Sequence, residues 1–255
     1  MEIWFKRILE RNDPPMEADE GHLLTAVPED IFSLIKTQAE LAGEHLKDTA
    51  LCRVIQVLFL PVPNQICTDP IQIYTEYYKE LITSEDCTDR ELCAIINNNN
   101  QLRELVEGIP DLLMLELSED MTVEMNSVLS NATAPLIELN TLAAHALGSM
   151  IIGDVDSARV LETMCFTEDW LYEEEASGLL TMVSTFQDYF NDLQVWIQSR
   201  YFFGLVVIDC LHNSVKRYFK GFGNSKEYFD DCMTLGSRIK SDYDVAFSLV
   251  VECSV

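Results

Sequence analysis

An all-α fold made of many helices is the architecture that this sequence predicts, on three observations. The 255 residues include only ten glycines and eight prolines, too few for a sheet-rich fold with frequent turns. Apolar residues recur at the i, i+3, i+4, i+7 spacing of a helix through most of the chain. No stretch alternates β-branched residues with a period of two between hairpin turns. We expect about eight to ten helices joined by short loops, without an internal repeat of fixed period.

Proline and glycine mark the predicted helix boundaries in the first half. Pro28, which two acidic residues follow, is typical of a helix start. A helix beginning at Asp48 is expected to be interrupted by Pro61 and Pro63, because each removes a backbone donor and clashes with the preceding turn. The segment Gly108–Pro110 is predicted to end the next long helix, which is rich in asparagine.

The second half carries similar boundary signals. Pro135 is predicted to begin a helix that stops near Gly148 or Gly153. Gly221 and Gly223 are predicted to form a linker between the last two helices. Because no strand precedes these two glycines and no third glycine follows, they do not predict a phosphate-binding loop.

Apolar stripes at helical spacing predict which side chains pack in the core. Two stripes in the first half contain Ile31, Leu34, Ile35, Ala42 and Leu46, and then Leu92, Ile95, Ile96, Leu102 and Val106. The longest stripe in the second half contains Leu179, Met182, Val183, Phe186, Phe190, Leu193 and Ile197. The next contains Ile208, Leu211, Val215, Tyr218 and Phe219. The last contains Phe229, Met233, Gly236, Tyr243, Phe247 and Val250, with Ile239 on its flank.

Charge is concentrated in the middle of the chain. The whole protein has a net charge of −26. Residues 104–199 hold one basic and 18 acidic residues, a net charge of −17. Such a protein repels phosphate backbones and anionic lipid surfaces, so we expect neither nucleic-acid binding nor polybasic membrane docking. The acidic middle is predicted to be either a set of solvated helix faces, the favoured interpretation, or a docking surface for basic partners.

The sequence predicts two helical bundle segments, residues 1–110 and residues 111–255, the second acidic in its first part. The first nine residues are interrupted by charges and do not resemble a signal peptide. The longest apolar runs are much shorter than the ~20 residues of a membrane-spanning helix. We therefore expect a cytoplasmic protein without a transmembrane segment.

Residue types that carry out catalysis or bind metals do not cluster in the sequence. The eight cysteines contain no C-x-x-C pair and are predicted to be reduced and mostly buried. The four histidines lie far apart, and His145, within an apolar helix, is expected to be structural. Cys210 and His212 point away from each other on a helix. Asp154 and Asp156 begin a calcium-loop pattern that the following residues do not continue. We predict no catalytic residues, cofactor site or metal site, and no enzymatic activity.

Four consecutive asparagines, Asn97–Asn100, stand out because asparagine is a mediocre helix former. At helical spacing at least one of these amides faces the same side as the apolar residues Ile95, Ile96 and Leu102. A buried amide must find hydrogen-bond partners, so a structural role in bonding a neighbouring helix or backbone carbonyl is favoured over a catalytic role.

Five segments of the chain resemble, in order, elements of one known family. Trp4–Asp13 resembles a tryptophan-led helix with a Leu-Glu-x-Asp run, and Val27–Phe32 resembles the Thr-Pro-x-Asp-Leu-Phe helix start that follows it. Cys93–Asn98 matches an Ala-Ile-Ile-Asn-Asn helix, and Trp170–Leu171 and Asp188–Asp192 match Trp-Leu and Asp-Tyr-Phe-Asn-Asp elements. Together these segments resemble the exocyst complex component three family, the Sec-six subunit.

This resemblance implies a fold and a function. The chain would be a segment from the central portion of an elongated rod of stacked helical bundles, in the complex that tethers secretory vesicles to the plasma membrane. Its partners would be other exocyst subunits and SNARE proteins, and it would lie at secretion sites as a peripheral component. The alternative is an exocyst-like paralogue of the same superfamily that acts outside the core complex.

Overall fold

The computed structural model describes residues 2–11, 13–18, 20–46, 48–59, 70–112, 119–153, 160, 167–172, 177–224 and 232–253. Eleven helices and one pair of two-residue strands lie in these segments. In chain order they are α1 (Glu2–Glu10), β1 (Met16–Glu17), β2 (Leu23–Leu24), α2 (Val27–His45), α3 (Asp48–Phe59), α4 (Pro70–Thr83), α5 (Asp89–Glu107), α6 (Ile109–Leu112), α7 (Glu119–Gly153), α8 (Glu168–Tyr172), α9 (Ser177–Trp196), α10 (Arg200–Asn224) and α11 (Cys232–Cys253). The predicted all-α fold class is confirmed.

One short antiparallel strand pair was not expected from the sequence. Met16 of β1 pairs with Leu24 of β2, and Glu17 pairs with Leu23. The chain reverses between the strands through Gly21, whose φ of 83° lies in the left-handed region that glycine adopts without strain. The pair is too short for the period-two pattern that identifies a strand, and its function is to place the fully buried Leu23 in the core.

The described contacts divide the chain into two compact units. The first unit comprises Met1–Ala144 and Trp196–Phe202, and the second comprises His145–Val195 and Phe203–Val255. This division does not coincide with the predicted segments 1–110 and 111–255, which stay a prediction about the bundles. The difference arises because the first part of α7 packs in the first unit, where Asn140 bonds the side chains of α5.

Helix α5 is the central element of the first unit. It packs against α2 and β2, while α1 packs against α4 and α2 against α3. A reciprocal capping box fixes its start: the Thr88 hydroxyl accepts from the Glu91 N–H, and the Glu91 carboxylate accepts from the Thr88 N–H. The helix ends at Gly108, as the sequence predicts. Eight consecutive residues of α5, 92–99, are buried, so this part of the helix is enclosed on all sides.

The helix start at Pro28 is also confirmed. Helix α2 begins at Val27 with Pro28 in its first turn, and Glu29 and Asp30 follow. The Thr25 hydroxyl accepts a hydrogen bond from the Val27 N–H at 3.3 Å. Pro61 and Pro63, where an interruption was predicted, lie outside the described residues, and α3 is described as far as Phe59.

The prediction that Pro135 begins a helix is wrong. Pro135 lies inside α7, which continues from Glu119 to Gly153. An internal proline removes one helical hydrogen bond and costs ~3 kcal/mol in an isolated helix. Tertiary packing offsets this cost, because Leu129 and Leu136 on either side of the proline are both buried. The helix passes through Gly148, and it is described as far as Gly153, where a stop was also predicted; the residues that follow lie outside the described part of the chain.

The prediction that Gly221 and Gly223 form a linker is also wrong. Helix α10 continues through both residues to Asn224. Glycine lowers helix stability by about 1 kcal/mol relative to alanine, but at both positions the long preceding helix already fixes the backbone.

The apolar stripes differ in how well they predict burial. All seven residues of the longest stripe are buried: six lie on α9, and Ile197 directly follows it. The α10 stripe is wrong as a core prediction, because Ile208, Val215 and Phe219 are exposed by 54–63%. The α11 stripe is wrong in the same sense, since its described aromatic residues Tyr243 and Phe247 are exposed. Phe229 and Val250 lie among the side chains that the structure does not describe.

Helix α7 combines unusual length with an apolar composition. It is long and apolar enough to cross a membrane by length and composition, and half of its most apolar window is buried inside the protein. Core helices of water-soluble proteins meet the same criterion, so this property alone assigns no membrane segment.

Candidate functional site

The asparagine run of α5 forms a buried polar cluster in the first unit. Asn97 is completely buried, and its Nδ2 donates to the Leu23 carbonyl at 2.9 Å and to the Trp196 carbonyl at 2.7 Å. Its Oδ1 accepts from the Gln198 N–H at 3.0 Å. One amide therefore uses both donors and its acceptor to join β2, α5 and the turn after α9.

The next three asparagines extend this cluster. Asn98 Oδ1 accepts from the Thr25 N–H at 3.1 Å, and Asn98 Nδ2 donates to the Thr25 hydroxyl at 2.9 Å. Asn99 Nδ2 donates to Asn140 Oδ1 at 2.6 Å, and Asn140 Nδ2 donates to Asn100 Oδ1 at 3.1 Å. These bonds join α5 to the loop before α2 and to α7. The predicted structural role fits this arrangement, because each of these bonds connects the asparagines to another part of the protein itself.

A second buried polar cluster lies in the second unit, around Asp242 of α11. Asp242 Oδ2 accepts from Trp170 Nε1 at 3.0 Å and from the Tyr218 hydroxyl at 2.8 Å. Its Oδ1 lies 3.2 Å from Nε of Arg238, one helical turn earlier. The Arg238 guanidinium also lies 5.3 Å from the centroid of the Trp170 ring. Both charged residues are at least 94% buried, so the ion pair and its hydrogen bonds compensate each other's loss of hydration.

This second cluster was not identified from the sequence. The i, i+4 spacing of Arg238 and Asp242 was a signal of an ion pair, but in a chain with many charges this spacing is common. The partners Trp170 and Tyr218 are distant in sequence, and only the packing of α8 and α10 beside α11 brings them together.

An apolar groove lies directly over the Asp242 cluster. It has a volume of about 370 Å³ and lies between α9, α10 and α11. Its walls include Leu179, Met182, Val215, Phe219, Ile239 and Tyr243. The polar groups on its floor bond the protein: the Tyr218 hydroxyl donates to Asp242, and the Ser214 hydroxyl donates to the Cys210 carbonyl at 2.7 Å. The groove therefore presents apolar surface and suits a partner's side chains better than a small polar ligand.

The ionisable residues considered for catalysis stay dispersed. His145 is exposed and pairs with Asp209, at 3.2 Å between Nδ1 and Oδ1, so it has a partner but is not a core residue. His212 is exposed, whereas Cys210 is buried with its Sγ 3.7 Å from the Gly148 carbonyl oxygen, so they form no pair. Among the described side chains, no three of His, Cys, Asp and Glu are grouped as metal ligands. Asp154 and Asp156 fall outside the described residues.

Four of the cysteines can be assessed, and all are free and buried: Cys52, Cys87, Cys93 and Cys210. Burial raises the pKa of the Cys87 thiol to about 11, and nearby Glu91 and Asp86 add to the increase. Burial raises the pKa of Cys210 to about 12 and that of Cys93 further still. These thiols are neutral at physiological pH, which is the opposite of what a nucleophilic cysteine needs. The other four cysteines lie outside the described side chains.

The Asp-Tyr-Phe-Asn-Asp element on α9 divides between core and solvent. Phe190 is buried against Phe186, with ring centroids 5.9 Å apart. Asp188, Asn191 and Asp192 are exposed. The aromatic residue is therefore part of the core, as the stripe predicts, and the polar residues are available at the surface.

Comparison with known proteins identifies a family and a solved structure that this chain resembles. The family model described as Exocyst complex component Sec6 matches residues 1–254. A solved structure described as the crystal structure of the C-terminal domain of the exocyst subunit Sec6p resembles the chain with a TM-score of 0.74 and 14% sequence identity. That match covers 99% of this chain and 65% of the solved chain, so this chain spans slightly less than two thirds of it.

The two comparisons carry different weight. A structural likeness at 14% identity shows a shared helical fold and does not by itself transfer function. The family model covers nearly every residue, including the five segments on which the sequence resemblance rests. The chain belongs to the exocyst complex component Sec6 family.

Proposed function

We propose that this chain is a subunit, or a fragment of a subunit, of the exocyst and acts as a non-enzymatic helical scaffold in vesicle tethering. The observation that carries the proposal is the family match over residues 1–254. The helical architecture supports it, because helices whose inner faces form a core leave long outer faces for partners. The exposed apolar surface of α10 and α11 is a feature that interaction sites have in common.

The finer parts of the proposal concern partners and place in the cell. Other exocyst subunits are the proposed partners, with SNARE proteins as a second class. The chain would act in the cytoplasm, peripheral to the plasma membrane at secretion sites, and would correspond to the central portion of the helical rod. The scaffold role requires neither a cofactor nor a metal. The buried, neutral thiols and the dispersed histidines agree with a role in binding rather than catalysis.

A pull-down from cytosol tests the scaffold role. The tagged chain is expected to recover other exocyst subunits, identified by mass spectrometry, and to retain them at physiological salt. An unrelated helical protein of similar size and net charge is the matched control, because a net charge of −26 alone attracts basic proteins. Recovery of the same proteins by the control, or of no exocyst subunit by the chain, contradicts the proposal. The second outcome favours the paralogue that acts outside the complex.

Binding to SNARE proteins needs a separate measurement with purified components. The chain is titrated into a fluorescently labelled SNARE domain, and anisotropy reports saturable binding if the proposal is correct. If the anisotropy stays unchanged at high micromolar concentrations of the chain, the proposed binding to SNARE proteins is rejected. The proposed binding to other exocyst subunits is not affected by that result.

A further inference from the structure

Among the described residues of the second unit, the groove between α9, α10 and α11 is an apolar surface that the neighbouring side chains leave open. Phe219 and Tyr243 on opposite walls are exposed by 61% and 63%. An exposed aromatic side chain keeps a large apolar area in water, at about 25 cal/mol for each Å². Two such side chains facing one concave space mark a surface whose burial by a partner is favourable.

The shape of the groove matches a helix better than a flat surface. Three helices enclose about 370 Å³, and the apolar residues on the wall formed by α10 repeat at one helical turn, at Val215 and Phe219. The opposite wall repeats in the same way at Ile239 and Tyr243. An amphipathic helix that inserts side chains at i, i+3, i+4 and i+7 is complementary to such a pair of ridges.

The charges around the groove determine which kind of helix fits. The segments 179–182, 214–220 and 239–246 form its walls, and they hold four basic and two acidic residues in a protein of net charge −26. One of the acidic residues, Asp242, is buried and paired with Arg238. The other acidic residue, Asp244, lies about 100° of helix rotation beyond Tyr243, as Lys220 lies about 100° beyond Phe219, so both are on the outer sides of their helices. The exposed lysines nearer the groove are Lys216 and Lys240, which we call the lysine rim.

The lysine rim lies beside the apolar walls. Lys216 directly follows the lining residue Val215, and Lys240 directly follows Ile239. Each of these two lysines therefore lies about 60° of helix rotation beyond the outermost exposed wall residue of its helix, Phe219 or Tyr243, at the edge of the lining face. Apolar residues between positive edges are complementary to an apolar stripe between negative edges.

We propose that this groove binds an amphipathic helix of a partner protein whose apolar stripe is flanked by aspartate and glutamate. The proposal deepens the scaffold function and rests on it for the identity of the partner, but the chemistry of recognition stands on the groove. The apolar stripe supplies affinity through Phe219 and Tyr243. The lysine rim selects acidic over basic helices and accelerates their association.

The first experiment measures binding of a defined probe to the whole chain. The probe is a fluorescein-labelled, hydrocarbon-stapled peptide of about 15 residues, with leucines on one face and glutamates beside them. Fluorescence polarisation is expected to show saturable binding that weakens by at least about tenfold in Phe219→Ser and in Tyr243→Ser. Ile208→Ser on the same helix and Tyr172→Ser are the matched controls, because both residues are as exposed but do not line the groove.

The second experiment tests selection by charge and does not depend on loss of binding. Lys216→Glu/Lys240→Glu is expected to weaken binding of the glutamate peptide about tenfold and to strengthen binding of a copy in which lysines replace the glutamates. Far-UV circular dichroism of this variant must match that of the native chain, so that a gain of binding to the lysine peptide reports the folded groove. Lys36→Glu/Lys79→Glu changes the net charge equally at residues of the first unit that do not line the groove, and it is expected to leave the binding of both peptides unchanged.

Three results would overturn the proposal. One is equal binding of both peptides to the native chain, and another is unaltered binding of the glutamate peptide in the groove variants. The third is Phe219-dependent sedimentation with phosphatidylserine vesicles, or Phe219-dependent dimerisation, without peptide binding; a membrane or a second copy would then be the occupant. If peptides bind as expected while the pull-down recovers no exocyst subunit, the groove assignment stands and the scaffold proposal fails.

Discussion

Replacing Asn97 by alanine tests the idea that one buried amide connects three parts of the first unit. The substitution leaves the Leu23 and Trp196 carbonyls without their side-chain donor and the Gln198 N–H without its acceptor. The bond to Leu23 is fully buried, so losing it costs about 1–2 kcal/mol. The other two are partly buried, and water can replace the amide at a cost of about 0.5–1 kcal/mol each.

The expected loss is therefore about 3 kcal/mol of the free energy of unfolding. In urea, with an m-value of about 2 kcal/mol/M, this moves the midpoint of the first unit down by about 1.5 M. Far-UV circular dichroism follows loss of helix, and Trp196, within this unit, reports local unfolding by fluorescence. Asn97→Asp is expected to be worse than alanine, because it places a carboxylate against two carbonyl oxygens.

Asn191→Ala is the matched control, since Asn191 is exposed and its loss is expected to change stability by less than about 0.5 kcal/mol. If Asn97→Ala and Asn191→Ala have the same urea midpoint within error, the Asn97 amide makes no net contribution to the free energy of unfolding. The bonds of Asn97 would then not be what holds the first unit together, and the reasoning above would be refuted.

The fold supports three further predictions. Pro135→Ala restores a helical hydrogen bond at an exposed position of α7 and is expected to raise the free energy of unfolding by about 1–2 kcal/mol. The variant should therefore melt at a higher temperature than the native chain, and a lower melting temperature would contradict this prediction. Asp242→Ala removes a buried charge that pairs with Arg238 and accepts hydrogen bonds from Trp170 and Tyr218, and is expected to cost about 3–5 kcal/mol by urea unfolding. A loss below about 1 kcal/mol would contradict this role of Asp242. Because burial raises the pKa values of Cys87 and Cys210 from 9.0 to about 11 and about 12, the unfolded state releases these protons first and stability falls as pH rises above about 9. Cys87→Ala/Cys210→Ala is expected to lose less of its own stability between about pH 8 and about pH 10.5, and an unchanged pH dependence would exclude the thiols as the cause.

The sequence predicts the helices better than it predicts their surroundings. Helical spacing identifies one face of a helix, and on α9 that face is the core, with Phe186 and Phe190 both buried. On α10 the same spacing identifies Val215 and Phe219, which are exposed. Periodicity depends on the chain alone, whereas burial depends on what packs against it, so an apolar stripe predicts either a core or an interface.

Long-range hydrogen bonds are the part of the structure that could not be predicted from the sequence. A structural role for the asparagine run follows from amide chemistry, but the partners of Asn97 are 74–101 residues away in the chain. No local pattern connects them. The continuity of α7 through Pro135 has the same origin, since burial of the flanking Leu129 and Leu136 outweighs a local penalty.

The bond between Asn97 and Gln198 has a consequence for how the protein is made. The ribosome releases the chain at ~5–20 residues per second, so residues up to Ala144 emerge roughly 3–10 seconds before Gln198. During that interval the Asn97 amide lacks two of its three partners, and α5 lacks the Trp196 segment. The first unit is thus completed only after α9, most of which belongs to the second unit, has been synthesised. During those seconds a nascent-chain chaperone can protect the incomplete first unit.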